Sequence, residues 1–335
     1  MFAISFKTKN VSLSFQFFHK LFVFRNAIFS WSSRMLSTLQ QRVEVIRVFA
    51  LSRVYYISSI LPIKSSMVKK FESLVGKFIW QGSGRILRVA LNELKNENLS
   101  GGLNLPCLAT MSDALLTSQC LRLFRSGDTK SVAHLDYWMG SLVAEVVPGL
   151  GLGEEAADTP DYFGKLGDCL SVLMISDLLS ASSLFTITNK MIYKDLSSFP
   201  TPKVEVGSAV DYKLVWKRLD NPGIDSDVRN VMFLLIHNKL PVTERLFRIG
   251  VKVDPYCSHC PGAEVDDVEH FFCYCVRTRQ CWSWIRLKIS ELCGQGLRSS
   301  NWELLNFVLP KTQFEQGMLW LIGSYVHYAW EHCYF

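Results

Sequence analysis

The sequence predicts a mainly α-helical protein, and three observations support this prediction. Several long stretches repeat apolar residues every three or four positions, which is the period of a helix with one buried face. Glycine and proline stand at the ends of these stretches, where helices stop. The 335 residues are 49% hydrophobic and 20% charged. This composition excludes a wholly disordered chain and suits about two domains.

The N-terminal part contains three helical patterns. The first covers 31–60 and stops before Pro62, the second runs from about residue 66 to 80, and the third from about 110 to 124. The first 30 residues are rich in phenylalanine and serine and contain no acidic residue. A cleaved targeting peptide is one interpretation of that composition. We favour the interpretation that residues 1–30 are a ragged remnant of a larger domain.

Charge divides the chain into three parts. Residues 1–130 hold 18 Lys+Arg and 6 Asp+Glu, residues 131–210 hold 4 and 10, and residues 211–335 hold 14 and 14. Because basic surfaces attract polyanions, we expect any nucleic-acid surface to lie before residue 130. The acidic part includes a passage rich in glycine, proline and acid around 146–160, which predicts an irregular, variable connector over 131–210. Within this connector, helical stretches are expected around 166–185.

Two further properties limit the class of protein. The longest stretches without a Lys, Arg, Asp or Glu, at 98–112 and 316–330, are 15 residues long. A membrane-spanning helix needs about 20 apolar residues, so we expect no membrane partner. Clustered cysteines near a histidine indicate metal binding rather than disulfides, which places the protein inside the cell, in the cytoplasm or nucleus.

The cysteine cluster follows two predicted helices, over 226–239 and 241–249. Its order is Cys257-x2-Cys260-x9-His270-x4-Cys275. A tight turn can bring two cysteines separated by two residues onto one ion, and thiolates with imidazole favour Zn²⁺. Four protein ligands leave no open position, so the predicted zinc is structural. Spacing favours Cys275 as the fourth ligand but leaves Cys273 open.

Several segments, in this order along the chain, resemble one protein family: LSRVYYISSILP (51–62), FIWQG (78–82), GGLNLP (101–106), FLLIHNKLPVTERLFRIGV (233–251) and the cysteine module. The set resembles the region downstream of the polymerase core in reverse transcriptases of non-LTR retrotransposons. The resemblance implies a thumb-like basic helical region over 31–130 and a reverse-transcriptase zinc-binding domain over 211–335. It also implies zinc ligands at Cys257, Cys260, His270 and Cys275.

The resemblance does not extend to a catalytic core. Polymerases of this family carry an aromatic-x-Asp-Asp motif whose carboxylates hold two Mg²⁺ ions. The one Asp-Asp pair here, Asp266-Asp267, has Glu264 in place of the aromatic residue and is expected to lie in a solvated turn. We therefore predict a non-enzymatic fragment of a reverse-transcriptase-like protein. His237, near a predicted helix end, is interpreted as a structural histidine.

The predicted function is to hold RNA or an RNA·DNA hybrid by its phosphates, with the zinc module stiffening the C-terminal half. The alternatives are a zinc-stabilised protein-interaction module without nucleic-acid binding, or a decayed retroelement product without activity. Protein partners cannot be predicted from the residues. The residues expected to contact phosphate are Arg42, Arg47, Arg53, Lys64, Lys69, Lys70, Arg85 and Arg88.

Overall fold

The computed structural model describes residues 38–80, 89–127, 129–146, 160–176, 178, 186–197, 211–294, 297–309 and 313–333. These residues are mainly helical, which confirms the predicted fold class. Within the described ranges, β pairing consists of a single antiparallel bridge between Tyr256 and Val265. No helix in these ranges combines the length and the apolar character needed to cross a membrane.

The α-helices are numbered in chain order. They are α1 Leu39–Val45, α2 Ser52–Ser58, α3 Ser65–Ile79, α4 Leu91–Leu94, α5 Leu108–Ser126, α6 Thr129–Val146, α7 Asp161–Ile175, α8 Asn189–Leu196, α9 Tyr212–Leu219, α10 Ser226–Ile236, α11 Thr243–Arg248, α12 Arg279–Cys293, α13 Asn301–Leu305 and α14 Glu315–Cys333. Two π-helices, Ile46–Leu51 and His270–Tyr274, and a 3-10 turn, Asn98–Ser100, complete the helical elements of the described ranges.

The described chain divides into two compact units that do not follow its linear order. One unit falls within Glu44–Val75 and Pro106–Phe199, and the other within Ser32–Val43, Gly76–Leu105 and Pro200–Phe335. Each unit therefore combines stretches that are distant in sequence. The four-part division into 1–30, 31–130, 131–210 and 211–335 stays a prediction.

The first predicted helix is present but is not uniform. Within 31–60, the described helical run begins at Leu39, and the π-helix Ile46–Leu51 interrupts it before α2. Its buried side chains include Ile46 and Val54, which lie on the predicted apolar stripe, and Leu51, which lies next to that stripe. The wider turn of a π-helix is a feature that apolar spacing alone does not reveal.

The predicted connector is more ordered than its composition suggested. Three helices, α6, α7 and α8, begin within 129–196. They share a hydrophobic core with α5, in which Leu121, Leu135, Leu170 and Ile192 are buried. The passage 147–159, whose glycines and acids suggested irregular structure, lies outside the described residues. The helical stretch expected around 166–185 is present in part as α7, whereas α6 and α8 were not predicted.

In the second unit, the GGLNLP segment packs closely against α9 and α10. A Cβ atom on Gly102 would lie 1.9 Å from the backbone oxygen of Asn96, so only glycine fits there. The neighbouring Gly101 has a φ of +82° and lies against the ring of Trp216. His237 Nε2 lies 2.8 Å from the Gly101 carbonyl oxygen. The GGLNLP segment and the segment 233–251, which are distant in sequence, therefore contribute to the same part of the core.

Buried polar groups fix the ends of the helices around this core. Arg218, which is only 5% exposed, forms an ion pair with Glu315 at 2.7 Å. The same guanidinium donates hydrogen bonds to the carbonyl oxygens of Phe307 and Leu309. Since a buried guanidinium without partners is costly, this arrangement links α9 firmly to the start of α14.

Candidate metal centre

A short hairpin positions the first two cysteines. Tyr256 and Val265 form the antiparallel bridge, and the Cys257 N–H donates to the Glu264 carbonyl oxygen at 2.9 Å. The chain between them turns tightly, so that the side chains of Cys257 and Cys260 converge. This is the turn that the C-x2-C spacing predicted.

The second pair of candidate ligands is set by the π-helix His270–Tyr274. In a π-helix each N–H bonds to the carbonyl five residues earlier. The Cys275 N–H donates to the His270 carbonyl oxygen at 2.8 Å, which is this hydrogen bond. The Asp267 carboxylate accepts a hydrogen bond from the His270 N–H at 2.7 Å, at the start of the same turn. The five-residue spacing of His270 and Cys275 thus matches one π turn.

The four predicted ligand side chains come together in one cluster. One donor atom from each of Cys257, Cys260, His270 and Cys275 lies within 4.8 Å of the other three. The Cys257 and Cys275 sulfurs are 3.9 Å apart, as are those of Cys260 and Cys275, and Cys260 Sγ lies 3.5 Å from His270 Nε2. Around a tetrahedral zinc, Zn–S and Zn–N bonds of about 2.3 and 2.0 Å require S···S separations of about 3.8 Å and S···N separations of about 3.5 Å. The donor set and its spacing therefore fit a zinc ion.

The histidine is oriented by a residue that the sequence analysis did not assign to the site. His270 Nδ1 lies 3.0 Å from a Glu264 carboxylate oxygen, while Nε2 points to the sulfurs. Histidines that bind metals commonly donate their other N–H to a carboxylate, which fixes the tautomer and ring orientation. A carboxylate next to the C-x2-C turn was visible in the sequence, but only the hairpin shows that it reaches the ring.

A backbone group also supports the cluster. The Val276 N–H points at Cys260 Sγ from 3.4 Å. A hydrogen bond of this kind stabilises the charged form of a sulfur, which is the form that binds metal. Three of the four candidate ligands, Cys257, His270 and Cys275, are buried, and Cys260 is half-buried.

The Cys275 thiol is the candidate ligand whose charge state is most affected by its surroundings. Burial, together with charge repulsion from the neighbouring Cys257 and Cys260, raises the pKa of Cys275 to about 12. The surroundings of Cys275 therefore favour its neutral thiol. A divalent ion reverses this preference, because coordinated thiols are deprotonated.

Cys273 is separate from the cluster. It is buried and lies on the π-helix, and burial together with Glu269 and Asp267 raises its pKa. Among the described residues, it does not belong to the group of converging donors, whereas Cys275 does. The same holds for the half-buried Cys281 and Cys293 of α12.

The expected solvated turn at Asp266-Asp267 is wrong for Asp266 only, since Asp267 is exposed. Asp266 is buried, and its carboxylate accepts a hydrogen bond from the Thr243 N–H at 3.2 Å. Asp267 accepts the hydrogen bond from His270 described above. The pair therefore joins α11 to the metal cluster and orients the π turn. The expectation failed for Asp266 because its partner, Thr243, is distant in the sequence.

The described members of the predicted phosphate-binding set differ in their surroundings. Arg42 donates to the Ile79 carbonyl oxygen at 2.6 Å, and burial lowers its pKa, so it has a structural contact. Arg47 pairs with Glu44 at 2.5 Å. The other four described members are exposed, while Arg85 and Arg88 lie outside the described residues. The exposed ones are Arg53, Lys64, Lys69 and Lys70.

His237 occupies a structural position. Its ring packs against the Phe233 ring at a centroid distance of 4.5 Å and against the Trp216 ring at 5.6 Å. Burial lowers its pKa, although the Gly101 carbonyl and the Glu93 carboxylate act in the opposite direction. A neutral histidine that bonds to a backbone carbonyl suits a core position.

One comparison with known proteins bears on this site. Residues 191–282 match a protein-family model described as zinc-binding in reverse transcriptase. The match covers between a quarter and a third of the chain and includes all four converging side chains. No curated protein is similar enough to the chain to match it. Residues 191–282 are therefore a reverse-transcriptase-related region that brings together four side chains that could hold a metal ion.

Proposed function

We propose that this chain is a non-catalytic, nucleic-acid-binding segment of the kind found downstream of the polymerase core in non-LTR retrotransposon reverse transcriptases. The main observation in its support is the four-donor cluster inside a region that matches a reverse-transcriptase zinc-binding family. The ordered motifs outside that region support the non-LTR type. The proposed location is intracellular, in the cytoplasm or nucleus.

The proposed cofactor is one structural zinc ion, held by Cys257, Cys260, His270 and Cys275. Four protein ligands fill a tetrahedral site, so the ion would crosslink the hairpin and the π turn rather than activate water. Glu264 would hold the imidazole in the tautomer that leaves Nε2 free to bind. The hairpin that carries Cys257 and Cys260 is mostly exposed, so metal binding would supply a large part of the free energy that orders it.

The proposed ligand is RNA or an RNA·DNA hybrid, bound through phosphates by the basic helices. Residues 45–71 contain five basic side chains and no acidic one. Arg53 on α2, Lys64 before α3, and Lys69 and Lys70 on α3 are exposed. Such a segment attracts a polyanion, and phosphate contacts confer affinity without sequence specificity.

Salt-dependent binding tests this proposal. A triple variant, Lys64→Gln, Lys69→Gln and Lys70→Gln, should bind RNA more weakly at low salt. The slope of log Kd against log salt concentration should fall by about 2 to 3, because each phosphate contact contributes about 0.7 to 0.9. The matched control neutralises three exposed lysines elsewhere, Lys190, Lys194 and Lys217, and should change the slope little.

Two results would contradict the proposal. One is RNA affinity that stays constant between about 50 and 200 mM salt, since phosphate binding must weaken over that range. The other is an equal loss in both triple variants, which would mean that net charge rather than this segment matters. Absence of RNA binding would favour the protein-interaction alternative. A primer-extension assay with zinc-loaded protein should yield no product.

A further inference from the structure

Two neighbouring side chains on the outer surface of α2 are exposed. Tyr56 is 73% exposed, and Arg53, three residues earlier, is exposed as well. Residues three apart on a helix lie side by side, with Cβ atoms about 5 to 6 Å apart. Arg53 and Tyr56 therefore form one small surface patch, called here the Tyr56 patch.

The opposite side of the same helix holds it in the core. Val54 is 3% exposed and Ser58 is fully buried. Tyr55, the immediate neighbour of Tyr56, is largely buried, and burial raises its pKa. The two adjacent tyrosines thus have different positions, one inside and one outside. Because α2 is anchored by its inner side, the exposed ring is carried on a fixed support rather than on a loose end.

The sequence around the Tyr56 patch is basic, although the exposed side chains near it along the chain include the apolar Ile60. The nearest acidic residues in sequence are Glu44, which pairs with Arg47, and Glu72, sixteen residues after Tyr56. Lys64 follows Tyr56 by eight residues and is exposed. The π-helix Ile46–Leu51 leads directly into α2, and such segments occur frequently at functional sites.

We propose that the Tyr56 patch stacks against unpaired bases, so that this part of the chain binds single-stranded nucleic acid. The inference rests on the proposed function, since it assumes that the basic segment binds nucleic acid. An aromatic ring combined with cationic side chains is the arrangement that binds single strands, with the ring against a base and the cations on phosphates. The faces of bases inside a duplex are already stacked, so a duplex offers the ring no partner without distortion.

Fluorescence anisotropy with two RNA probes tests the inference. The probes are a single-stranded oligouridine of about 20 nucleotides and a perfect RNA duplex of about the same length. Tyr56→Ala should weaken binding to the single strand by about 5- to 150-fold, the range for loss of one stacking partner. Tyr56→Phe should retain most of the affinity, because its ring is preserved. Neither change should affect duplex binding appreciably.

The control is Tyr137→Ala. Tyr137 is 58% exposed and lies on α6 of the same unit, next to Asp136. Its replacement removes an exposed ring of the same kind outside the basic segment and should leave binding to both probes unchanged. Thermal unfolding of all variants checks that the fold is intact.

The outcomes separate the two proposals. If Tyr56→Ala has no effect while the lysine triple variant weakens both probes, the stacking inference is wrong and the proposed function stands. If Tyr56→Ala weakens both probes equally, the ring does not select single strands and the inference is also wrong. If the chain binds neither probe, both proposals fail. If Tyr56→Ala abolishes self-association and leaves RNA affinity unchanged, the patch is a contact between copies, and the inference is overturned.

Discussion

Replacing Cys275 by serine gives the sharpest test of the metal centre. Serine is close to cysteine in size, and the backbone bonds around the position would remain, including those from the Cys275 N–H to His270 and from the Thr278 N–H to Cys275. What changes is the donor atom 3.9 Å from the sulfurs of Cys257 and Cys260. The substitution therefore separates metal binding from packing.

The size of the effect follows from the number of donors. Structural zinc sites of small modules bind with about 10 to 16 kcal/mol, which corresponds to about 2.5 to 4 kcal/mol for each of four ligands if they share equally. Loss of one thiolate should then weaken zinc binding by roughly 10²- to 10³-fold. Competition with a chromophoric chelator measures this change, and the unmodified chain should release one zinc ion.

The matched control is Cys273→Ala. Cys273 is buried two residues before Cys275 but does not join the converging donors. The variant should keep its zinc affinity and lose about 1 kcal/mol of folding stability, as is usual for a truncated core side chain. Zinc affinity that is unchanged in Cys275→Ser and lowered in Cys273→Ala would refute the assignment. The assignment would also be refuted if the unmodified module stayed fully folded in the presence of a chelator.

Two further predictions concern the core of the second unit. Burial lowers the pKa of His237 from its usual 6.5, so the contribution of the neutral ring to folding stability is present above pH 6.5 and is lost as the pH falls below it. His237→Gln should therefore flatten the decline of the melting temperature below pH 6.5. Zinc content is measured at each pH as a control. An equal decline in both proteins would contradict this. Arg218→Met should cost about 3 kcal/mol in urea unfolding, because Glu315 and two carbonyl groups lose their partner. The Arg248–Glu244 pair, in which Arg248 is exposed, serves as the control, and Arg248→Met should cost no more than about 0.5 kcal/mol. Similar losses of stability in the two variants would refute the claim that burial makes the Arg218 contacts more stabilising.

The sequence indicated the set of converging side chains because metal-binding residues need fixed spacings. The C-x2-C turn required only local geometry, and the hairpin has it. The choice between Cys273 and Cys275 was harder, since an ordinary α-helical turn, at about 100° per residue, would bring Cys273 closer than Cys275 to the side of His270. The π turn decides which sulfur faces the histidine, and a π-helix has no apolar period that a sequence pattern can reveal.

Other features depended on contacts between distant residues. The carboxylates of Glu264 and Asp266 look like ordinary polar groups of a turn, but one orients His270 and the other bonds to Thr243. The start of α7 and the whole of α8 were not predicted, because the acidic, glycine-rich passage before them dominated the composition of that part. Helical periodicity was reliable where apolar residues repeated over several turns, as in α3, α5 and α10.

The hydrogen bond from the Cys275 N–H to the His270 carbonyl makes the length of this segment a strict requirement. Deleting one residue between them would favour an α turn and rotate the following side chain by about 100°. Inserting one residue would rotate it in the opposite sense by a similar angle. A change of identity at the exposed Tyr274 would leave this hydrogen bond in place, but a change in the number of residues would not. We therefore expect related chains to vary in the residues of this turn while keeping their count.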